Sequence, residues 1–330
     1  MEVLLPAMMF ALMFSEWWNY LALDAAVFLV AVILDRVSPE LPAVIHPVVW
    51  IGRAIDLLAR AAPQRPGPAF IYGCGIVVVV VGASGALAWL VMAGLMSLGP
   101  LAYVIGGAVL LRTTFTVRGL SSAAQDTRRA LAEDRLGEAR ESLKSLVGRD
   151  RSSLTAPLVA AAAIESVAEN STDSYVGPWL AFAIFGVPGA AAYRAVNTLD
   201  SMLGHHGRYE YLGKAAAHLD DVVNLLPARL SALLLVSSGA LTRFPIQGAW
   251  RVMLRDRRCT ASPNAGWTMA AMAGLLGTRL EKQGHYRLGD GLREPEAADI
   301  GRAVRLAEGV AVLGVLVALA LLAARHGITA

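Results

Sequence analysis

The sequence predicts an all-α polytopic membrane protein, a helical bundle with broken or re-entrant helices and amphipathic helices on the cytoplasmic side. Three observations carry this. Residues 71–96 run 26 positions without a charge, and a spanning helix needs about 20. Only 17% of the 330 residues are charged and 56% are hydrophobic, where a soluble globule carries about 25% charge. Carboxylates and amides nevertheless recur beside the apolar runs. Broken helices accommodate them, because irregular backbone at membrane depth is tolerated where it lines a cavity.

The elements follow in order. The N-terminus is hydrophobic but lacks a basic n-region and an A-x-A site, so it reads as mature sequence and not as a cleaved signal. A span lies near residues 17–35, with Trp17 and Trp18 suited to an interface belt. Residues 71–96 are the next span. Ser97-Leu98-Gly99-Pro100 turns tightly into a third over 98–117, which tolerates Arg112 near its end. Residues 178–197 are apolar but interrupted by Gly186-Val187-Pro188-Gly189, which predicts a kink or a re-entrant segment. A further span covers 222–242, with Pro227 and Arg229 crowding its start, and the last covers 304–324. Segments 36–70, 118–155 and 243–303 are rich in arginine, including Arg251, Arg255, Arg257 and Arg258. The positive-inside rule places the second and third in the cytoplasm, and the first joins them because the hairpin over 71–117 must return both its ends to one side. In the second, Leu131, Leu136, Leu143 and Leu146 fall at roughly helical spacing, as in an amphipathic helix. The whole reads as one integral membrane domain over residues 1–330.

The net charge of +3 is mild, and nothing in the sequence resembles a nucleic-acid face. Cys74 lies in an apolar run and Cys259 follows a basic cluster, so a disulfide framework is not expected. There is no G-x-x-x-x-G-K-[ST], and Gly73-Cys74-Gly75 lacks the strand–turn–helix setting of a dinucleotide loop.

The chemistry-bearing residues fall in three clusters. Glu165, Glu169 and Asp173 recur every four residues, with Asn170 beside them. On one helix face they suit oxygen ligation of a hard cation such as Mg²⁺, which takes a few carboxylates plus water and phosphate oxygens. The same spacing suits a solvated acidic face capped by Ser171-Thr172-Asp173. Asn197 and Asp200 form the second cluster. In the third, Asp220 and Asp221 each share a face with Asn224, directly before an apolar run. This pattern also describes a helix N-terminus whose acidic first turn complements the dipole. A charge at mid-bilayer costs about 2.5–3.5 kcal/mol on insertion scales, so the acids call for basic side chains, a substrate amine or a divalent cation. Lys214, Arg194 and Arg229 are the nearby cations, fit either to grip phosphate and carboxylate groups or to pair with these acids. His205, His206 and His218 have no cysteine close by for a zinc site, and His46-Pro47 reads as a turn. Ser262-Pro263-Asn264-Ala265-Gly266-Trp267 reads as a helix-entry loop that could also present Asn264 to a ligand.

At these residues the chain resembles the adenosylcobinamide-phosphate synthase family (CobD/CbiB) of cobalamin biosynthesis. The matching blocks are H-P-V at 46–48, I-G-R at 51–53, G-R-D at 148–150, E-S-V-A-E-N-S-T-D at 165–173, Y-R-A-V-N-T-L-D-S-M-L-G at 193–204, L-D-D-V-V-N-L-L-P-A-R-L at 219–230 and S-P-N-A-G-W at 262–267. They keep the family's order. Arg36-Val37-Ser38-Pro39 departs from the glycine-containing turn usual after the first acidic position.

The resemblance implies a multi-pass enzyme of the cell (inner) membrane with its site facing the cytoplasm. It implies an ATP-dependent, Mg²⁺-requiring carbon–nitrogen ligase that joins adenosylcobyric acid to aminopropanol or its O-phosphate. By the matched positions, Glu165, Glu169, Asp200 and Asp221 are the catalytic candidates, with Asp200 a metal ligand or acceptor of the amine's proton. Glu165, Glu169, Asp173, Asp220 and Asp221 are the metal candidates. Arg149, Asn170, Arg194, Asn197, Asn224, Arg229 and Asn264 are the substrate-binding candidates. Corrinoid, aminopropanol (phosphate) and membrane lipid are the implied partners, with room for a homo-oligomer or for other enzymes of the pathway. The competing readings are a Mg²⁺-dependent membrane prenyltransferase, which would want D-D-x-x-D where Asn224 stands, and a non-catalytic transporter or sensor.

Overall fold

The computed structural model describes residues 4–148, 150–204 and 209–329, with side chains over 20–327 of these ranges. Arg149, His205 and His206 lie outside the described residues, and so do the side chains of Trp17 and Trp18. The chain is α-helical almost throughout. In order come α1 (Leu4–Val37), α2 (Pro47–Arg60), α3 (Pro66–Ser97), α4 (Pro100–Arg112), α5 (Arg118–Ala132), α6 (Leu136–Ser142) and α7 (Ala156–Ser171). A π turn at Thr172–Val176 leads into α8 (Gly177–Leu203), followed by α9 (Glu210–Val223), α10 (Leu225–Leu241), α11 (Ile246–Asp256) and α12 (Ala265–Leu276). A short antiparallel hairpin, β1 (Leu280–Lys282) with β2 (Tyr286–Leu288), precedes α13 (Ala297–Thr329).

Among the described residues three helical runs are long and apolar enough to cross a membrane: α3, the run Ala156–Leu203 and the part of α13 over Ala297–Gly327. α9 and α10 pass the same test as a pair bent by 47°. Val78, Val79, Leu87, Trp89 and Val91 are exposed on α3. A helix this apolar on its open side belongs in lipid and not in water. The protein is an all-α membrane protein.

The chain divides into two compact units, one of residues 1–115, 178–219 and 315–330 and the other of 116–177 and 220–314. In the first, α1 packs along α4, and α3 packs against α4 and α2. Phe28 is the centre of an aromatic core, stacked on Phe182 at 5.7 Å and edge-on to Trp179 at 5.6 Å. Ile55 and Ala59 of α2 join Ile76 and Val80 of α3, Leu199 of α8 and Leu212 of α9 in a second core. α8 is broken, as its Gly-Pro pattern predicts. Gly186 sits at φ 70°, ψ −165°, a region essentially closed to residues with a Cβ, and Pro188 has no N–H to return to the helix.

The third span meets a different outcome. α4 is 13 residues long, about 20 Å at 1.5 Å per residue, against a hydrocarbon core of about 30 Å. The helix stops because Arg112 is buried beside Asp35 (3.9 Å). The Thr113 and Thr114 hydroxyls then turn back onto the Leu110 and Leu111 carbonyls, both at 2.7 Å.

In the second unit, α12 is buried along its length and packs on α11, α10 and α7. The arginine-rich segment 243–303 thus contains a buried apolar helix. A 12-residue apolar helix escapes notice between arginine-rich flanks. The amphipathic stretch after residue 118 is two helices, not one. Asp134 turns at φ 55°, and the chain re-enters at α6 with Leu131 and Leu143 still buried.

Candidate functional site

The acids of 220–221 do not stand at a helix N-terminus. They occupy the last turn of α9, which holds no basic residue. A carboxylate there faces the negative end of the helix dipole. Pro227 explains the break that follows: it has no N–H for the Val223 carbonyl, so the helix cannot run through. Asn224 sits at the break, 2% exposed, and its Nδ2 donates to Asp220 Oδ2 at 2.9 Å.

The loop 262–264 ties this break to α12. Ser262 Oγ donates to Asp221 Oδ1 at 3.0 Å, and Asn264 Nδ2 donates to the Asp221 carbonyl at 2.8 Å. The same amide accepts at Oδ1 from Arg229 Nη1 at 2.6 Å. Asn264 is 6% exposed, with both ends of its amide taken by the protein. It holds Asp221 and Arg229 in place. Gly266 is required next to it: a Cβ would stand 2.3 Å from the Arg257 carbonyl oxygen. Trp267 follows, with the Arg229 and Arg257 guanidinium carbons 5.0 and 4.9 Å from its ring centroid.

Glu165, Glu169 and Asn170 lie on α7, and Asp173 lies in the π turn, so helical structure does persist past Asn170. Glu165 is buried and the other three are half-buried. Asn170 Nδ2 donates to the Ser166 carbonyl and hydroxyl, both at 3.0 Å, and Ser166 Oγ reaches the Leu146 carbonyl at 2.9 Å. The π turn is anchored by Tyr175, whose hydroxyl donates to the Ala307 carbonyl at 2.9 Å. Such single π turns concentrate at functional sites.

Arg194, Asn197 and Asp200 belong to α8 in the first unit. Arg194 Nη1 donates to Asn197 Oδ1 at 3.2 Å. His46 in the same unit caps α2, its Nδ1 accepting from Val48 N at 3.3 Å with Pro47 opening the helix, as the turn reading requires. Burial holds the imidazole below its ordinary pKa; Glu40 opposes this, and Arg194 and Arg112 add to it.

Among the described residues no three His, Cys, Asp or Glu side chains stand close enough to hold a metal ion. Paired carboxylates suit Mg²⁺ brought in with phosphate, which keeps waters and needs only one or two protein ligands.

One network has no counterpart in the sequence reading. In the first unit Asp24 of α1 accepts from Tyr103 Oη at 2.8 Å, from Arg325 and, at 3.0 Å, from the His326 ring. Arg325 also reaches the Phe182 carbonyl, one turn before the break in α8. Asp24 is an acid inside an apolar run, the one signal that marked it.

Fold and hydropathy together define a multi-pass helical membrane protein, and Asp220 and Asp221 stand at one of its helix breaks. The sequence pattern described as CobD/Cbib protein matches residues 28–307, and the chain belongs to the CobD/CbiB family. A cobalamin biosynthesis protein CobD of Dehalococcoides mccartyi (strain CBDB1) is 46% identical over 268 residues, covering 81% of this chain and 87% of the relative. A cobalamin biosynthesis protein CbiB of Salmonella typhimurium (strain LT2) is 40% identical over 299 residues, covering 86% and 92%. A protein of Methanothermobacter thermautotrophicus, named as a probable cobalamin biosynthesis protein CobD, is 39% identical over 268 residues, covering 81% and 87%. No solved structure matches the chain.

Proposed function

We propose that this chain works in cobalamin biosynthesis as an amide synthase, joining adenosylcobyric acid to aminopropanol or its O-phosphate at the expense of ATP. The observation that carries the reading is the α9–α10 break. There Asp220 and Asp221 are set against a helix dipole with no basic residue in their turn, while the S-P-N loop fixes Asp221 and Arg229 to one another through Asn264.

The chemistry asks for this pairing of charges. A carboxylate does not condense with an amine unaided, because hydroxide leaves poorly. Attack of the corrinoid carboxylate oxygen on the terminal phosphorus of ATP releases ADP and leaves an acyl phosphate. The amine nitrogen then attacks that carbonyl, inorganic phosphate departs, and the ammonium proton passes to a base. Phosphoryl transfer depends on positioning and on neutralising charge. Asp220 and Asp221 are the side chains that would hold Mg²⁺, which would supply positive charge against the phosphates. Arg229 is aimed by Asn264 as a fork for phosphate or carboxylate oxygens. Glu165, Glu169 and Asp173 are the further acids of this unit. The arginine-rich segments support an inner-membrane enzyme that works on the cytoplasmic side. A prenyltransferase is disfavoured because Asn224 donates to Asp220, which an ionised aspartate in its place could not do.

The test is reconstitution of the full chain into proteoliposomes with adenosylcobyric acid, aminopropanol phosphate, ATP and MgCl₂, the product read by mass spectrometry. Amide product with matched ADP release is expected. Product formed at the same rate without ATP would overturn the reading.

A further inference from the structure

Among the described residues several cations of the second unit, Arg251 and Arg258 among them, pair with no acid, and two such cations share one aromatic ring. Arg255, Arg279, Arg287, Arg293 and Arg302 all lie within 4 Å of a carboxylate. Arg229 and Arg257 do not, among the described residues. Arg229 Nη1 bonds only the Leu225 carbonyl and Asn264, and Arg257 Nη1 only the Leu254 carbonyl. Their remaining N–H groups have no protein acceptor among the described residues. Both guanidinium groups stack on one indole, Trp267, so the two charges stand no farther than about 10 Å apart. All three side chains are half-buried.

The arrangement is built and not incidental. The Gly266 backbone lies so close to the Arg257 carbonyl that no Cβ fits between them, which fixes the end of α11 against the start of α12. Asn264 fixes Arg229 from the other side. A guanidinium on an aromatic face keeps its in-plane N–H fork free for oxygens. Helix-end placement accounts for one bond of Arg257, to its own helix carbonyl. It does not account for a second like charge held on the same ring.

We infer that Arg229 and Arg257, carried on Trp267, form a subsite for the phosphoryl group of a soluble phosphate-bearing substrate. Trp267 sets the spacing of the two forks, and the anion offsets two charges that otherwise repel. The inference deepens the proposed function and rests on it for the identity of the phosphate bearer.

The test uses detergent-purified full-length chain and radiolabelled pyrophosphate in equilibrium dialysis. Arg257→Ala is expected to weaken binding at least tenfold, the loss of one charge-assisted contact. Arg257→Lys should restore only part of it, because an ammonium lacks the fork. Arg258→Ala, at an exposed neighbour, should leave binding unchanged. Unchanged binding in a folded Arg257→Ala protein, or equal weakening by Arg258→Ala, would overturn the subsite. Should Arg257→Ala not fold, the unaltered chain still decides the matter: pyrophosphate must shield Arg257 from phenylglyoxal, and modification at the same rate with and without it defeats the idea. ATP should compete with pyrophosphate; competition by phosphatidylglycerol in mixed micelles and not by ATP would reassign the site to lipid and overturn a soluble ligand. Amide synthesis with no change in pyrophosphate binding on Arg257→Ala removes the subsite and keeps the enzyme. Pyrophosphate binding that depends on Arg257 in a protein that makes no amide does the reverse.

Discussion

Replacing Asn264 by alanine should loosen the site without emptying a core. The side chain accepts from Arg229 at 2.6 Å and donates to the Asp221 carbonyl at 2.8 Å. A hydrogen bond to a charged group contributes about 1.5–3 kcal/mol and a neutral one about 0.5–1.5 kcal/mol. Asn264→Ala should therefore destabilise the fold by about 2–4 kcal/mol. Total destabilisation is the weaker test, because any buried polar truncation destabilises. Coupling is sharper. In a double-mutant cycle with Arg229→Ala, the two changes remove the same bond, so the double variant should be more stable than the summed singles by about 1.5–3 kcal/mol. Unfolding in detergent micelles, followed by tryptophan emission, gives the four stabilities. The same variants give kcat/KM for amide synthesis, and either single change should cut it at least tenfold. An interaction energy below about 0.5 kcal/mol, the scatter for independent sites, would refute the claim that Asn264 carries Arg229.

The remaining expectations are these. Asp221→Asn keeps an acceptor for Ser262 but removes the charge, so amide synthesis should fall about a hundredfold or more, the scale of one removed electrostatic partner, while the melting temperature barely moves; full activity would take the acid out of the site. Calorimetric titration with MgCl₂ alone should show no bound ion, since no three acids converge among the described residues, and binding should emerge when ATP is present; tight binding without nucleotide contradicts this. Asp24→Ala strands Arg325 in the first unit and should destabilise by about 3 kcal/mol, read by thermal unfolding; a loss under about 1 kcal/mol would mean a solvated pair. His46 has a folded-state pKa below its ordinary 6.5. Folding thus favours the neutral ring, and its contribution is intact above that value and lost as pH falls through the lowered one. Stability should fall as pH drops below about 6.5, and His46→Asn, which still caps α2, should flatten that limb; an unaltered slope would reject the assignment.

What could be seen in the sequence follows from how local its cause is. The runs at 71–96 and 304–324 need no partner to be recognised, and both are helical where expected. The break at Gly186 was equally legible, because glycine and proline act on their own backbone. α4 ended early for a reason that lies elsewhere in the chain, the burial of Arg112 beside Asp35. Asp24 and Arg325 stand 301 positions apart, and no window joins them. Within the site, the blocks at 219–230 and 262–267 were visible as blocks. That Asn264 faces inward, to Asp221 and Arg229, was not, since an amide reads alike whether it serves a ligand or a neighbour.

The π turn at Thr172–Val176 makes the acidic face of α7 a matter of counting. Its extra residue sets the rotation of everything before it relative to Tyr175 and the Ala307 carbonyl that pins it. Deleting one position there would let the segment relax to ordinary 3.6-residue winding and swing Glu165, Glu169 and Asn170 around the axis by about 100°. Chain length in this stretch is thus held as tightly as any side chain: a shortened protein would keep every acid and aim them all wrongly.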